Sequence, residues 1–101
     1  MEKRKPAYDI DAVKAAIGSV ETLAITRTAL SDALSLGFNR PGIVAVVQGI
    51  KRTMFVKSMT THADHRLWQD VYHVPADDLV LYVKFQADIV TEFRVVSFKE
   101  K

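Results

Sequence analysis

The sequence predicts an α+β fold in which N-terminal helices pack on one face of a twisted antiparallel sheet. Up to Ile50, hydrophobic residues recur at intervals of three and four, which is typical of helices. From Phe55 onward they alternate with polar residues, the pattern of strands with one buried face. A chain of 101 residues is long enough for one modest core. We therefore expect residues 1–101 to form a single domain.

The first two helices are predicted from their capping residues. Asp9 precedes a helix over residues 10–17, because its side-chain oxygen can accept an otherwise unpaired N–H of the first turn. Gly18 suits a left-handed stop after this helix. Thr26 is expected to cap the second helix, and Gly37 to end it. The residues expected to face the core share helical spacing; they are Ile10, Val13, Ile17, Ala29, Leu30, Ala33 and Leu34.

Residues 20–25, between these helices, are predicted to form a short strand or an extended link. Asn39-Arg40-Pro41 then indicates the start of a third helix, because proline is tolerated in a first helical turn. An apolar strand is the alternative, since residues 43–47 are rich in β-branched side chains and Gly49 weakens a helix. The helix is favoured by four large residues at helical spacing, namely Ile43, Val46, Val47 and Ile50.

Four strands are predicted in the second half, over residues 55–61, 68–74, 79–87 and 93–98. A turn over residues 75–78 is expected to join the second of these strands to the third. In the third strand the expected buried face consists of Leu79, Leu81, Val83, Phe85 and Ala87, and the open face of Val80, Tyr82, Lys84 and Gln86. In the second, Gln69, Val71 and His73 share the open face, opposite Trp68, Asp70 and Tyr72. We expect Trp68 and Tyr72 to pack in the core.

Composition excludes several classes of site. The chain has no cysteine, so disulfides, thiolate zinc sites and cysteine nucleophiles are ruled out. A net charge of +2 is a mild basic bias that is compatible with binding nucleic acid. No apolar run is long enough for a bilayer, and the charged N-terminus, Lys3-Arg4-Lys5, is a solvated lead-in without a following apolar signal region. We expect a soluble, cytoplasmic protein with no membrane association.

The segment around Asp64 offers a possible zinc site. His62, Asp64 and His65 could supply three of the four ligands of a zinc ion. The better interpretation is a polar loop in which Asp64 caps a turn and both histidines are exposed. We therefore expect no metal site and no cofactor.

Several long motifs resemble the MqsR family of bacterial mRNA interferase toxins. They are Met1-Glu2-Lys3-Arg4, Lys57-Ser58-Met59-Thr60-Thr61, Trp68-Gln69-Asp70-Val71-Tyr72 and Val96-Ser97-Phe98-Lys99-Glu100-Lys101. They lie at both ends of the chain and in its middle, so the resemblance covers the whole chain. One departure is His62, where the family commonly carries an aromatic residue such as tyrosine.

The resemblance implies a RelE-like toxin fold and the role of toxin in a type II toxin–antitoxin pair. The implied activity is metal-independent cleavage of single-stranded mRNA at GC-containing sites, which leaves a 2′,3′-cyclic phosphate and a 5′-hydroxyl and causes growth arrest. The implied partners are mRNA and an MqsA-type antitoxin that carries the zinc and the DNA-binding domain. DNA would then be contacted only indirectly, through the antitoxin complex.

The resemblance also implies the site, because the matched motifs contain the family's functional positions on a concave sheet face. The implied catalytic residues are Lys57, Gln69, Tyr82 and Lys99. Lysine can stabilise the charge on a phosphorane, tyrosine can donate to a leaving oxygen, and glutamine can orient a phosphate or read a base edge. We predict that His73 and Lys84, on the same open face, bind RNA.

Two alternatives to an enzyme remain open. The same sheet could bind RNA or DNA without cleaving it, or it could bind an antitoxin or regulator without touching nucleic acid. From the residues alone, each lysine, glutamine and tyrosine of the site is an ordinary side chain on the solvated face of a strand.

Overall fold

Three α-helices and a five-stranded sheet make up the described part of this computed structural model, residues 1–89 and 92–101. The helices are α1 (Ile10–Ala16), α2 (Arg27–Ser35) and α3 (Arg40–Gln48). The strands are β1 (Glu2–Lys3), β2 (Phe55–Thr60), β3 (Trp68–Ala76), β4 (Leu79–Ile89) and β5 (Glu92–Glu100). The strands pair in the order β1-β2-β3-β4-β5, and all neighbours are antiparallel. The predicted α+β fold is confirmed.

The hydrophobic core lies between the helices and one face of the sheet. Its buried helical residues are Ile10, Val13, Ala29, Ala33, Ile43 and Val47. Its buried strand residues are Tyr72, Val74, Leu81, Val83, Phe85, Val95 and Phe98. Each fully buried large apolar side chain contributes about 1.5–3 kcal/mol of transfer free energy, so this one cluster dominates the stability of the fold. We call the sheet face toward the helices the covered face and the other the open face.

The predicted helix caps are confirmed. The Asp9 carboxylate accepts the N–H of Asp11 at 3.1 Å, and the Thr26 hydroxyl accepts the N–H of Ala29 at 3.2 Å. Asn39 Oδ1 accepts the N–H of Gly42 at 2.9 Å, so the third helix begins where the Asn-Arg-Pro motif predicts. The helix, not the alternative strand, forms here because it brings Ile43 and Val47 into the core, and Ile50, just beyond its end, is buried as well.

Several predictions at the edges of the first two helices are wrong. Gly18 does not adopt a positive φ, whereas Gly37 does, at φ 92, and ends α2 as predicted. Residues 20–25, predicted as a short strand or an extended link, begin instead with a 3₁₀ turn at Val20–Thr22. Leu23 is extended, and Ile25 forms one isolated parallel bridge to Val95 of β5. Leu34 is 54% exposed because the smaller Ala29 and Ala33 form the face of α2 that meets the sheet.

The basic N-terminal segment contributes a strand that hydrophobic periodicity does not predict. β1 pairs with Ser58 and Met59 of β2, and the amino group of Met1 donates to Thr60 Oγ1 at 3.1 Å. The following segment is held by Asp70, a buried carboxylate on β3 that accepts the backbone N–H groups of residues 7 and 8 at 3.0 and 2.9 Å. A strand of two residues is too short to show alternation, so only the folded chain reveals it.

The turn predicted between β3 and β4 is present, but it is shorter than the predicted range of residues 75–78 and forms a tight hairpin. Pro75 and Ala76 still pair with β4, which leaves Asp77 and Asp78 as the turn. Asp77 has φ 57, a left-handed conformation that aspartate tolerates better than most residues. The proline is accommodated because the pairing of β3 with β2 extends only to Tyr72, so no ladder hydrogen bond is lost on that side.

Candidate functional site

The open face of the sheet brings the six predicted site residues together in three rows. Residues directly opposite each other in an antiparallel pair project from the same face. The lysine row runs across four strands through Lys57, Val71, Lys84 and Ser97. The tyrosine row, closer to the β3–β4 hairpin, consists of His73, Tyr82 and Lys99. The glutamine row, on the other side of the lysine row, consists of Met59, Gln69, Gln86 and Arg94.

In the tyrosine row, Tyr82 lies between an imidazole and a cation. The ring centroids of His73 and Tyr82 are 6.0 Å apart, with the planes inclined at 45°. Lys99 Nζ lies 5.4 Å from the centroid of the Tyr82 ring, within range of a cation–π interaction. His73 and Tyr82 are partly exposed and Lys99 is exposed, so an anionic ligand can reach this row from solvent.

The lysine row contains an apolar residue, Val71, which the sequence pattern places on the open face. Val71 is fully buried, although it projects from the open face. Its neighbours across the strands are Lys57 and Lys84, whose aliphatic stems can cover it while their ammonium groups stay in water. Burial lowers the pKa of Lys84, and the charges of Lys99 and Lys57 lower it further. Together with Lys99 of the tyrosine row, the two lysines of this row place three positive charges on one part of the open face, which raises its local affinity for anions.

Lys57 forms an ion pair that the sequence did not indicate. Its Nζ lies 2.9 Å from Oε1 of Glu2, which β1 holds beside β2. The hydrogen bond and the charge of Glu2 raise the pKa of Lys57, and the same contacts lower the pKa of Glu2. Lys57 is therefore kept protonated, which suits a stabiliser of negative charge and opposes a role as a base.

In the glutamine row, one amide fixes the orientation of another. Gln69 Nε2 donates to Gln86 Oε1 at 2.7 Å, and the two residues are opposite each other in the β3–β4 register. The alternation of β4 placed Gln86 on the open face but gave it no role. Only the cross-strand register shows that it holds the predicted site residue Gln69.

The two aromatic residues predicted for the core have different environments. Tyr72 is buried as expected and makes edge contacts with Phe55 and Phe85, at centroid distances of 5.6 and 5.9 Å. Burial raises its pKa to about 12, so its hydroxyl stays neutral. The prediction for Trp68 is wrong. It is only partly buried, at the first residue of β3, where the ammonium of Lys3 rather than a helix lies over its ring, 4.1 Å from the centroid.

The loop between β2 and β3 favours the polar-turn interpretation over a zinc site. Asp64 accepts the backbone N–H of Arg66 at 2.9 Å and its guanidinium at 3.1 and 3.2 Å, and these contacts lower the pKa of the carboxyl. His62 and His65 are exposed. Within residues 1–89 and 92–101, no three histidine or carboxylate side chains are grouped to hold a metal ion. Nor does any helix in those ranges have the length and apolarity needed to cross a membrane.

Comparison with known proteins links this chain to a family. The sequence model of a family described as "Motility quorum-sensing regulator, toxin of MqsA" matches residues 5–100. The chain is also 40% identical over 103 residues to the mRNA interferase toxin MqsR of Escherichia coli (strain K12), with 100% of both chains covered. The matched span includes all six predicted site residues, whose individual roles remain predictions.

Proposed function

The chain belongs to the MqsR family of toxins, and from this premise we propose that it is an mRNA interferase, an endoribonuclease of a type II toxin–antitoxin pair. The observation that carries the proposal is the open sheet face, which presents Lys57, Lys84 and Lys99 together with the accessible Tyr82, whose ring has Lys99 beside it. We further propose that residues 1–101 act as a single catalytic domain.

The proposed reaction uses the RNA's own 2′-hydroxyl as nucleophile. Its oxygen attacks the adjacent phosphorus, the bond to the 5′-oxygen breaks, and the products are a 2′,3′-cyclic phosphate and a 5′-hydroxyl. The protein must accept the 2′ proton, stabilise the charge on the phosphorane and supply a proton to the 5′-oxygen. Because side chains of the open face can meet these demands, we propose that cleavage needs no metal ion.

In this mechanism Lys57 stabilises the negative charge of the transition state. Glu2 keeps it protonated and holds its ammonium at the edge of the site. A preorganised donor of this kind typically accelerates reaction by about 10²–10³-fold. Lys99, beside the Tyr82 ring, adds a second positive charge from a more exposed position. Lys84 binds the RNA backbone.

Tyr82 is the proposed proton donor to the 5′-oxygen. Its hydroxyl can donate a proton, and its ring lies between His73 and Lys99 in the tyrosine row. Gln69 positions the substrate. Its amide is oriented by Gln86, and an oriented amide can form paired hydrogen bonds with a base edge. Because base edges are accessible in unstacked RNA, this supports a preference for single-stranded sites, which we propose contain GC.

The proposed partners are mRNA and an antitoxin of the MqsA type, named in the family description. Growth arrest would follow cleavage of mRNA in the cytoplasm, and the antitoxin would suppress it. We propose that the toxin contacts DNA only indirectly, through its complex with an antitoxin that binds DNA.

The test is to incubate the purified chain with a defined mRNA in excess EDTA and to map the ends. We expect cuts at GC-containing single-stranded sites, with 5′-hydroxyl ends, and strongly reduced cutting by Lys57→Ala. RNA bound but uncut would favour the non-catalytic binding module. Antitoxin binding without RNA binding would favour the interaction module. Activity that is lost in EDTA and restored by one divalent ion would overturn the metal-free mechanism.

A further inference from the structure

The proposed reaction needs a group that accepts the 2′ proton, and the implied catalytic residues do not provide a clear one. Lys57 is unsuited, because the carboxylate of Glu2 raises its pKa and keeps it protonated. Gln69 has no basic atom. Tyr82 is used as the donor to the leaving oxygen, and Lys99 acts as an exposed positive charge beside the Tyr82 ring. The inference below rests on the proposed function, since it concerns a further residue of the same reaction.

We propose that His73 is the general base, whose imidazole accepts the proton of the ribose 2′-hydroxyl. It projects from the open face directly opposite Tyr82 in the β3–β4 register. The two rings are 6.0 Å apart between centroids and inclined at 45°, so they do not stack face to face. An RNA phosphate bound at the Tyr82 hydroxyl brings its neighbouring ribose beside the imidazole. His73 is partly exposed, as a group that meets substrate must be.

Burial, together with the charge of Lys101, favours the neutral imidazole that a base requires. The titratable groups of the open face around it come from β2, β4 and the C-terminal segment. Tyr82 is directly opposite His73 on β4, and Lys84 lies two residues further along that strand. Lys57 on β2 is opposite Val71, two residues before His73, Lys99 on β5 is opposite Tyr82, and Lys101 follows the end of β5. Burial lowers the pKa of His73 below its ordinary value of 6.5, and the charge of Lys101 lowers it further. At neutral pH the ring therefore keeps a lone pair.

The proton balance closes within the tyrosine row. The 2′-hydroxyl gives its proton to the neutral His73 imidazole as the 2′-oxygen forms its bond to phosphorus. The bond from phosphorus to the 5′-oxygen breaks, and that oxygen takes the proton of the Tyr82 hydroxyl. The imidazolium then returns its proton to the Tyr82 phenolate through water, which restores both side chains. The two rings are neighbours, with centroids 6.0 Å apart, so this return path is short.

A pH–rate profile tests the assignment. Single-turnover cleavage of one short RNA by the wild-type chain should fall as the solution is acidified, with a midpoint below about 6.5, where the imidazole becomes protonated. His73→Gln should lower the rate at neutral pH by about 10²–10⁴-fold and remove this acid limb. His73→Asn provides a second variant of similar shape. His65→Gln, in the exposed loop, is the matched control and should keep both the rate and the limb.

A binding measurement separates catalysis from simple RNA contact. With a 2′-deoxy analogue that cannot be cleaved, His73→Gln should bind as tightly as the wild-type chain. Loss of affinity with an unchanged acid limb would reduce His73 to an RNA contact and overturn the proposal. If the wild-type cleavage rate instead falls in the pH range where a lysine titrates, the base is Lys84, and the proposal for His73 is overturned. If the wild-type chain cuts no RNA, the proposed function itself fails.

Discussion

Neighbouring residues of one strand project from opposite faces of the sheet and have different roles: one set stabilises the fold, and the other belongs to the candidate site. On β4, Leu81, Val83 and Phe85 are completely buried against the helices. The alternate residues Tyr82 and Lys84 stay partly exposed on the open face. The first set contributes transfer free energy and the second presents charge and hydrogen bonds. Substitutions on the covered face should therefore cost stability, and substitutions on the open face should cost activity.

Two adjacent residues of β3 are exceptions, because a charged residue lies on the covered face and a buried apolar residue lies on the open face. Asp70 is a carboxylate on the covered face, only 2% exposed, and it holds the N-terminal segment through two backbone N–H groups. Val71 is an apolar residue on the open face, fully buried between two lysines. On β3, the covered face thus uses Asp70 to anchor the N-terminal segment, and the open face uses Val71 to support the stems of two lysines.

The largest expected effect tests the open face. Lys57→Ala and Tyr82→Phe should each lower single-turnover cleavage by about 10²–10⁴-fold, because they remove a charge stabiliser and a proton donor from the transition state. Unfolding midpoints should stay close to that of the wild-type chain. Rates near wild type in both variants would show that the chemistry does not take place in these rows.

Next in size is the matched test of the covered face. Leu81→Ala should lower the free energy of unfolding by about 2–5 kcal/mol, since it opens a cavity beneath α-helices that cannot fully collapse. Val80→Ala, its 41% exposed neighbour on the other face, should change stability by less than about 0.5 kcal/mol. Urea unfolding followed by circular dichroism measures both. Equal losses in the two variants would contradict the assignment of faces.

A smaller stability effect is expected at Asp70, the buried carboxylate on the covered face. Asp70→Ala should destabilise the chain by roughly 1.5–3 kcal/mol, because it leaves two backbone N–H groups without their charged acceptor. Asp70→Asn keeps one acceptor oxygen and should cost less. Hydrogen exchange at Ala7 and Tyr8 provides a local readout. Unchanged protection there in Asp70→Ala would mean that this carboxylate does not hold the N-terminal segment.

The smallest effect concerns the ion pair at the edge of the open face. Glu2→Gln removes the partner that raises the pKa of Lys57. Since Lys57 must be protonated to stabilise charge, activity is lost as the pH rises through its pKa. That alkaline loss should therefore begin at lower pH in the variant. RNA affinity at low salt should rise by less than about five-fold, and this gain should disappear in high salt. If the alkaline loss of activity occurs at the same pH in Glu2→Gln as in the wild-type chain, then the loss does not report the deprotonation of Lys57.

Local patterns were sufficient for most of the fold. The caps at Asp9, Thr26 and Asn39 and the alternation along β4 depend on neighbours only a few residues away, so they can be read from the chain. The predictions for Gly18 and Leu34 failed where several local solutions were equally acceptable and packing chose among them. The site residues came from motif resemblance, because alternation by itself assigns a face without assigning a role.

The sequence by itself determined the helices, the four longer strands and the face from which Tyr82 and Lys84 project, because each follows from short-range periodicity and capping chemistry. Only the tertiary structure decided which side chains meet across strands. The pairs Glu2–Lys57, Gln69–Gln86 and His73–Tyr82 join residues that are 55, 17 and 9 positions apart (73 to 82 for the last). Such pairs depend on strand order and register, which are set by the burial of the whole core and leave no mark in either local segment.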